Sequence, residues 1–290
     1  MRPSTISVLV RELLSEGKLI EAGPSDNPTG RKQVLLRVNE EFGCVAGIEF
    51  DAEFVVAAVM DLHPTIRARV KEPVRLDAGV DGLVNQLYAA LRAALEQAQV
   101  DRKNLLGIAL ADPGLVDSRE VTSVTCSTID FWRDVPVGRM FEHEFGVQCL
   151  LESNTRARAT AERFAGAGEM SDDMIYVDFG AGVGAGIITE GRILRGHRES
   201  AGELGHTHVS EGGAACSCGS FGCLEAIAGA PALAARVRRA IDAGSSSRAL
   251  ELAGSDPRSI TGWTVLEAAR LGDKTCDAVT EDLGNYLGLA

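Results

Sequence analysis

Residues 206–223 place His206, Cys216, Cys218 and Cys223 within eighteen positions, with a second histidine, His208, beside the first. Few features confine a chain more tightly. One imidazole and three thiolates are a standard tetrahedral set for structural zinc. The chain between such ligands must double back in tight turns, which Ser217, Gly219, Ser220 and Gly222 permit. Four protein ligands leave no open position, so the zinc would be architectural and not hydrolytic. The competing reading is a loop of free or redox-active thiols. His206 and, two residues on, His208 are both candidates for the nitrogen ligand. Seven cysteines are an odd number, thinly spread outside this stretch. That usage is expected of a reduced, cytoplasmic protein, where a tight Cys/His group favours metal over disulfide.

The remaining pattern is α/β. "GCVAGIEF" and "FVVAAVMDL" read as apolar strands joined by a turn, and residues 80–99 as an amphipathic helix. "LLGIALADPGLVD" is a buried strand ending in a turn, and "VQCLLESN" a strand running straight into the helix "TRARATAERFAGAG". "MIYVDFGAGVGAGIITEGRIL" is strand, glycine-rich turn, strand, and helices follow from residue 228 to the end. Strands alternating with helices predict an α/β fold, and the early strand–turn–strand segments predict antiparallel pairs in a mixed sheet. No run of about 18 apolar residues offers a membrane span, and the N-terminus lacks the order of a signal peptide.

The first 39 residues differ. "STISVLVRELLSE" reads as a helix with Ile6, Val10, Leu13 and Leu14 at helical spacing, Ser4 or Thr5 as its cap and Gly17 as its stop. Two short strands follow, separated by the polar loop "PSDNPTGRK". Helix, strand, long loop, strand is the back half of a winged helix-turn-helix. Residues 1–39 carry six basic and four acidic side chains, so the remainder holds −14 of a net −12. Such a body does not coat nucleic acid over its whole surface, yet a mildly basic reading head on it is expected to contact DNA. A complete head needs about two more helices upstream. The chain also stops within a helix at "GNYLGLA", so a longer natural protein is expected.

"ESAGELGHTHVSEGGAACSCGSFGCLEAIAG" resembles the signature of the ROK family of repressors, uncharacterised proteins and sugar kinases. The pattern is Glu-x-Gly-His followed by Cys-x-Cys-Gly-x-x-Gly-Cys-x-Glu, here Glu203 to His206 and Cys216 to Glu225. It selects His206 over His208. "GRKQVLLRVN", "GIALADPGLVD", "WRDVPV", "YVDFGAGVGAGIITEGRILRG" and "EAARLGDKTCDAV" resemble further family segments in the family's order. The resemblance implies a partial N-terminal winged helix-turn-helix, residues 1–39, before an actin-like and hexokinase-like two-lobed ATPase fold, residues 43–290. It implies that zinc shapes a sugar-binding loop, with Glu203, His206 and Glu225 contacting sugar hydroxyls. Carboxylates accept from vicinal hydroxyls, and a metal-bound imidazole has its second nitrogen fixed as a donor.

Kinases of the family carry a phosphate turn resembling Asp-x-Gly-Gly-Thr on the first hairpin. Here "GIEFDAEFVV" puts Glu49, Asp51, Ala52 and Glu53 at the four positions, and the acidic side chains are expected to repel a triphosphate. The catalytic Asp of a Glu-Asn-Asp step is also replaced. Glu152-Ser153-Asn154 ends in an amide, which cannot accept a proton as a general base, although Ser153 and Asn154 can hydrogen-bond a sugar. Only the second glycine loop, Gly180, Gly182, Gly184 and Gly186, is intact, and a tight hairpin explains it equally well. The stretch "CSTIDFW" lacks the Asn that many family kinases carry before the Trp, so a ligand other than glucose, or a weak one, is expected.

The resemblance therefore implies a non-enzymatic, sugar-responsive repressor with structural zinc, binding operator DNA as a homodimer or homotetramer. Its effector is a sugar or sugar phosphate. A ROK-type ATP-dependent sugar kinase is the alternative. In the head, Ser4, Thr5 and Ser7 are expected to meet phosphates or base edges, and Arg2 and Arg11 to add phosphate contacts. Arg31 and Lys32, beside Gly30, suit a narrow A·T-rich minor groove.

Overall fold

A computed structural model describes residues 3–24 and 33–290 of the chain. The first helix, α1, spans Pro3–Ser15. Ser4 and Thr5 thus lie inside its first turn and do not cap it. Proline is favoured at that first position because its fixed φ suits the helix and its missing N–H is not needed there. The far end follows expectation. Gly17 turns left-handed at φ 72. Its N–H bonds to Leu14 O at 3.1 Å and the Lys18 N–H to Leu13 O at 2.9 Å, a Schellman closure. Val10, Leu13 and Leu14 are half-buried, whereas Ile6 is exposed. Strands β1 (Leu19–Pro24) and β2 (Val34–Val38) pair antiparallel, Leu19 opposite Val38.

From there the contacts divide the chain into two compact units. One runs through Asp112 and adds residues 116–124 and 131–152; the other comprises 153–290 with 113–115 and 125–130. In the first, β3 (Cys44–Phe50), β4 (Phe54–Asp61) and β5 (Ile66–Pro73) form a meander. Helix α2 (Gly79–Gln97) follows, then β6 (Leu105–Asp112), which pairs parallel to β3 with Gly47 opposite Ala109. Three short strands, β7 (Leu115–Asp117), β8 (Thr122–Thr125) and β9 (Arg133–Val135), make a small sheet of their own. Helix α3 (Val137–Phe145) leads to β10 (Cys149–Ser153), which completes a five-stranded sheet of order β10-β6-β3-β4-β5. The mixed sheet is as expected; β5 and α3 are additions.

Burial alternates residue by residue along β3 and β4, the period-two signature of a strand with one face on the core. Helix α2 packs on β4 and β5, and its Leu83, Leu87 and Leu91, at i, i+4 and i+8, are fully buried. Each contributes about 1.5–3 kcal/mol. The same unit buries one carboxylate completely. Asp112 accepts from Trp132 Nε1 at 2.8 Å and from Ser123 Oγ at 3.1 Å, so the charge is met by donors.

The second unit begins with α4 (Asn154–Ala165). It packs on a hairpin of β11 (Met174–Phe179) and β12 (Val183–Thr189), extended by β13 (Arg192–Ile193). The approach is close enough to require glycine: a Cβ on Gly186 would stand 2.3 Å from Ala159 Cβ and 2.9 Å from Thr155 O. The core beyond is helical, built from α5 (Leu224–Ala228), α6 (Ala230–Asp242), α7 (Arg248–Leu252), α8 (Gly262–Arg270) and α9 (Lys274–Leu289). Leu224, Leu233, Val237, Val265, Cys276 and Leu283 meet there. No described helix is long and apolar enough to cross a membrane.

Candidate metal centre and adjoining carboxylates

After β13 the chain runs through a loop to a single helical turn, Leu204–His206, and then folds into a knot. Two backbone ladders shape it. Val209 N–H bonds to Gly222 O at 2.9 Å and Leu224 N–H to Thr207 O at 2.9 Å, while Cys216 N–H bonds to Ser220 O at 2.8 Å. Gly222 makes the crossing possible. Its φ is +70, and a Cβ there would stand 2.0 Å from Ser210 O.

The knot brings His206, Cys216, Cys218 and Cys223 together, with their ligand atoms all within 4.8 Å of one another. His208 is not in the group. Cys216 Sγ lies 3.5 Å from His206 Nδ1, and Cys218 Sγ lies 3.8 Å from Cys223 Sγ. A tetrahedral zinc with bonds of about 2.3 Å to sulfur and about 2.0–2.1 Å to nitrogen has edges near ~3.6 Å for S···N and ~3.8 Å for S···S. The donor set and both spacings therefore fit a metal ion. None of the seven cysteines is in a disulfide. As a thiol, Cys218 is lowered chiefly by the backbone N–H of Ser220, whereas desolvation pushes Cys223 up to about 11.

Two carboxylates adjoin the knot. With Nδ1 turned to the thiols, His206 directs Nε2 toward Glu203 Oε2, 3.8 Å away. Glu203 keeps 47% of its side-chain surface accessible. Its carboxyl is raised above the ordinary value, chiefly by desolvation, against the pull of His206 and Arg156, and Glu225 raises it further. Glu225 lies in the first turn of α5, two residues after the ligand Cys223. Its Oε2 accepts from the Val183 N–H at 3.1 Å, and Gly182 leaves room for it. Two acceptor carboxylates and one imidazole donor form a group that can grip vicinal hydroxyls.

Ser153 and Asn154 lie where β10 gives way to α4. Ser153 Oγ accepts from the Arg156 N–H at 3.4 Å as the helix cap, and Asn154 is buried. Sequence reasoning missed Arg156 and Glu199, whose pairing joins α4 to the loop before Glu203. It did not foresee where Asp51 turns: the side chain folds back onto its own turn. Its Oδ1 accepts from the N–H groups of Glu53 at 2.7 Å and Phe54 at 2.8 Å, so the turn's own donors are already occupied by a carboxylate.

In the head, Ser4, Thr5, Ser7 and Arg11 are all exposed on α1. Ser4, Ser7 and Arg11, spaced by three and four residues, share one face. Arg2, Gly30, Arg31 and Lys32 lie outside the described residues.

Known proteins resemble the chain over its whole length. The xylose repressor of Caldicellulosiruptor bescii is 26% identical over 289 residues, all of this chain and 72% of that protein. The DNA-binding transcriptional dual regulator NagC of Escherichia coli is 29% identical over 99% of this chain and 69% of its own length. Among solved structures, a ROK family transcriptional regulator, a homolog of the Escherichia coli MLC protein, superposes with TM-score 0.82 at 26% identity. It covers 99% of this chain and 71% of that one. A ROK family glucokinase from Streptomyces griseus, in complex with glucose and AMPPNP, gives 0.74 at 29% identity, covering 84% and 76%. The α/β fold matches both. The ROK family description itself matches residues 45–290, and the chain belongs to the ROK family.

Proposed function

We propose that this chain is a sugar-responsive transcriptional repressor of the ROK type that binds its sugar without phosphorylating it. Residues 1–39 serve as a winged helix-turn-helix segment on operator DNA, and residues 43–290 as a two-lobed sugar-binding body. Zinc held by His206, Cys216, Cys218 and Cys223 fixes the loop, and Glu203, His206, Glu225, Ser153 and Asn154 take the sugar hydroxyls. The zinc supplies rigidity and no chemistry. The protein acts in the cytoplasm as a homodimer or homotetramer, and effector binding lowers DNA affinity through the coupling of the two sites.

Coverage carries the reading. The xylose repressor and the transcriptional regulator align with 100% and 99% of the chain, whereas the glucokinase aligns with 84% and the family description begins at residue 45. The α1–β1–β2 segment lies before the residues that the family description matches, and the two regulators align with nearly all of the chain, which supports a role for it in regulation. Two features of the site agree. Asn154 cannot act as a base, and Asp51 already occupies the donors of the first turn.

The test is a gel-shift titration of the protein on DNA from sugar-utilisation operons, with a panel of pentoses, hexoses, amino sugars and their phosphates. One sugar is expected to release the DNA. Failure to bind DNA under every sugar condition would sink the repressor. The likeness to the glucokinase favours the second reading, a sugar kinase; ATP-dependent phosphorylation of any sugar in the panel, lost on Glu152→Gln, would establish it.

A further inference from the structure

We infer that Arg156 is a positioning residue: by clamping Glu199 it holds the loop of residues 195–206 in the shape that sets Glu203 beside His206. The inference rests on the sugar-binding reading and adds to it a residue that acts through others.

Arg156 lies in the first turn of α4 with 2% of its surface exposed. Arginine is almost never buried so far without a partner. Its two terminal nitrogens both hold Glu199. Nη1 donates to Glu199 O at 2.7 Å and Nη2 to Glu199 Oε2 at 3.2 Å. Arg195 Nε also approaches that carboxylate, at 3.6 Å. The guanidinium therefore fixes both backbone and side chain of one loop position, as its planar fork suits.

That position needs fixing. Arg198 and Glu199 adopt left-handed φ values of 66 and 61, conformations that side-chain-bearing residues avoid unless their surroundings enforce them. The Ala201 N–H closes the loop onto Arg195 O at 3.0 Å. Immediately after it, Gly202 O accepts from the Ala185 N–H of β12 at 2.7 Å. Glu203 follows, and His206 three residues later. Glu199 and Gly202 are thus two holds on the segment that leads into Glu203, and release at Glu199 would leave Gly202 to hold it alone.

The experiment compares the wild-type protein with Arg156→Gln, Arg156→Lys, Glu203→Gln and the Arg156→Gln/Glu203→Gln double variant. The readouts are sugar affinity by calorimetry over the same panel, bound metal, and hydrogen exchange of residues 195–206. Arg156→Gln is expected to weaken sugar binding about tenfold or more, the scale of losses when a supporting partner is removed. It is expected to keep its metal and to speed exchange in the loop. Lysine cannot reach both acceptors and should recover only part of the affinity. The double variant should bind no worse than Glu203→Gln alone, because Arg156 acts through Glu203. Additive losses, or loss of the metal, would overturn the inference. Should Arg156→Gln not fold, Glu199→Gln, which keeps the backbone acceptor, is expected to show a smaller loss in the same direction, and wild-type affinity there would overturn it. If the wild-type protein binds no sugar, the sensor reading fails by itself. Hydrogen exchange then decides the clamp, which unchanged protection in Arg156→Gln would refute.

Discussion

Removal of the proposed metal is the perturbation whose size can be worked most directly. Apart from a shared ion, few contacts would join the four ligands. Cys218 is exposed, Cys216 is half-buried, and the chain from His206 to Cys223 is otherwise tied mainly by a few backbone bonds such as Val209 to Gly222 and Cys216 to Ser220. An ion bound only by the folded state stabilises it by RT ln(1 + [M]/Kd), about 4 kcal/mol when free metal stands at a thousand times Kd. At about 2–4 °C per kcal/mol for a unit of this size, chelation should lower the melting temperature of the second unit by roughly 8–16 °C. Calorimetry with and without a strong chelator measures it. Cys223→Ser should melt like the chelated protein and contain no metal. Cys276→Ala, which removes a thiol just as buried but outside the knot, should keep one ion per chain. Melting unmoved by chelation, with full metal content in Cys223→Ser, would refute the reasoning.

Three further outcomes are expected. The Asp61 carboxyl is held below its ordinary range, first by the backbone N–H of Thr65, then by that of His63 and by Arg67. A depressed folded pKa gives stability that is present above the unfolded value, about 3.9, and is lost as pH falls through the folded one. The gap in urea midpoint between wild type and Asp61→Asn should therefore close on acidification below about pH 4; a gap constant with pH would contradict this. Asn154→Asp alone should not create sugar phosphorylation in a coupled ATP assay, because Asp51 still fills the first turn; measurable turnover would show that the turn is not the obstacle. Arg11→Ala should weaken operator binding evenly across sequences and reduce the salt slope by about one, whereas a loss confined to one base position would make Arg11 a base reader.

The Cys/His group was legible because its four residues lie in one short stretch, and the fold brings their ligand atoms within 4.8 Å of one another. The strands β3, β4, β11 and β12 were legible through runs of apolar residues. Strand β5 was overlooked, although the start of "IRARVKEP" alternates apolar and charged residues, the period-two pattern of a strand. Helix α3 starts directly after Pro136 and is nine residues long, too short for its period to stand out. The start of α1 was misplaced because Ser4 and Thr5 are good caps in isolation and Pro3 overrides them. Arg156 and Glu199 are 43 residues apart, and nothing local in either announces the other. Asp51 was visible as an acid, but whether a carboxylate turns outward or back onto its own turn depends on backbone geometry that composition does not encode.

The closed turn at Asp51 has a consequence for any phosphate that arrives there. The carboxylate is a competitor on a tether two or three residues long. Its effective concentration at the turn is on the order of millimolar or above, and it never diffuses away. A nucleotide phosphate must displace it on every encounter, so the two amides behave as though permanently saturated by an inhibitor that the chain carries with it. Raising the ATP concentration works against that occupant in proportion only, whereas shortening or deleting one side chain removes it altogether.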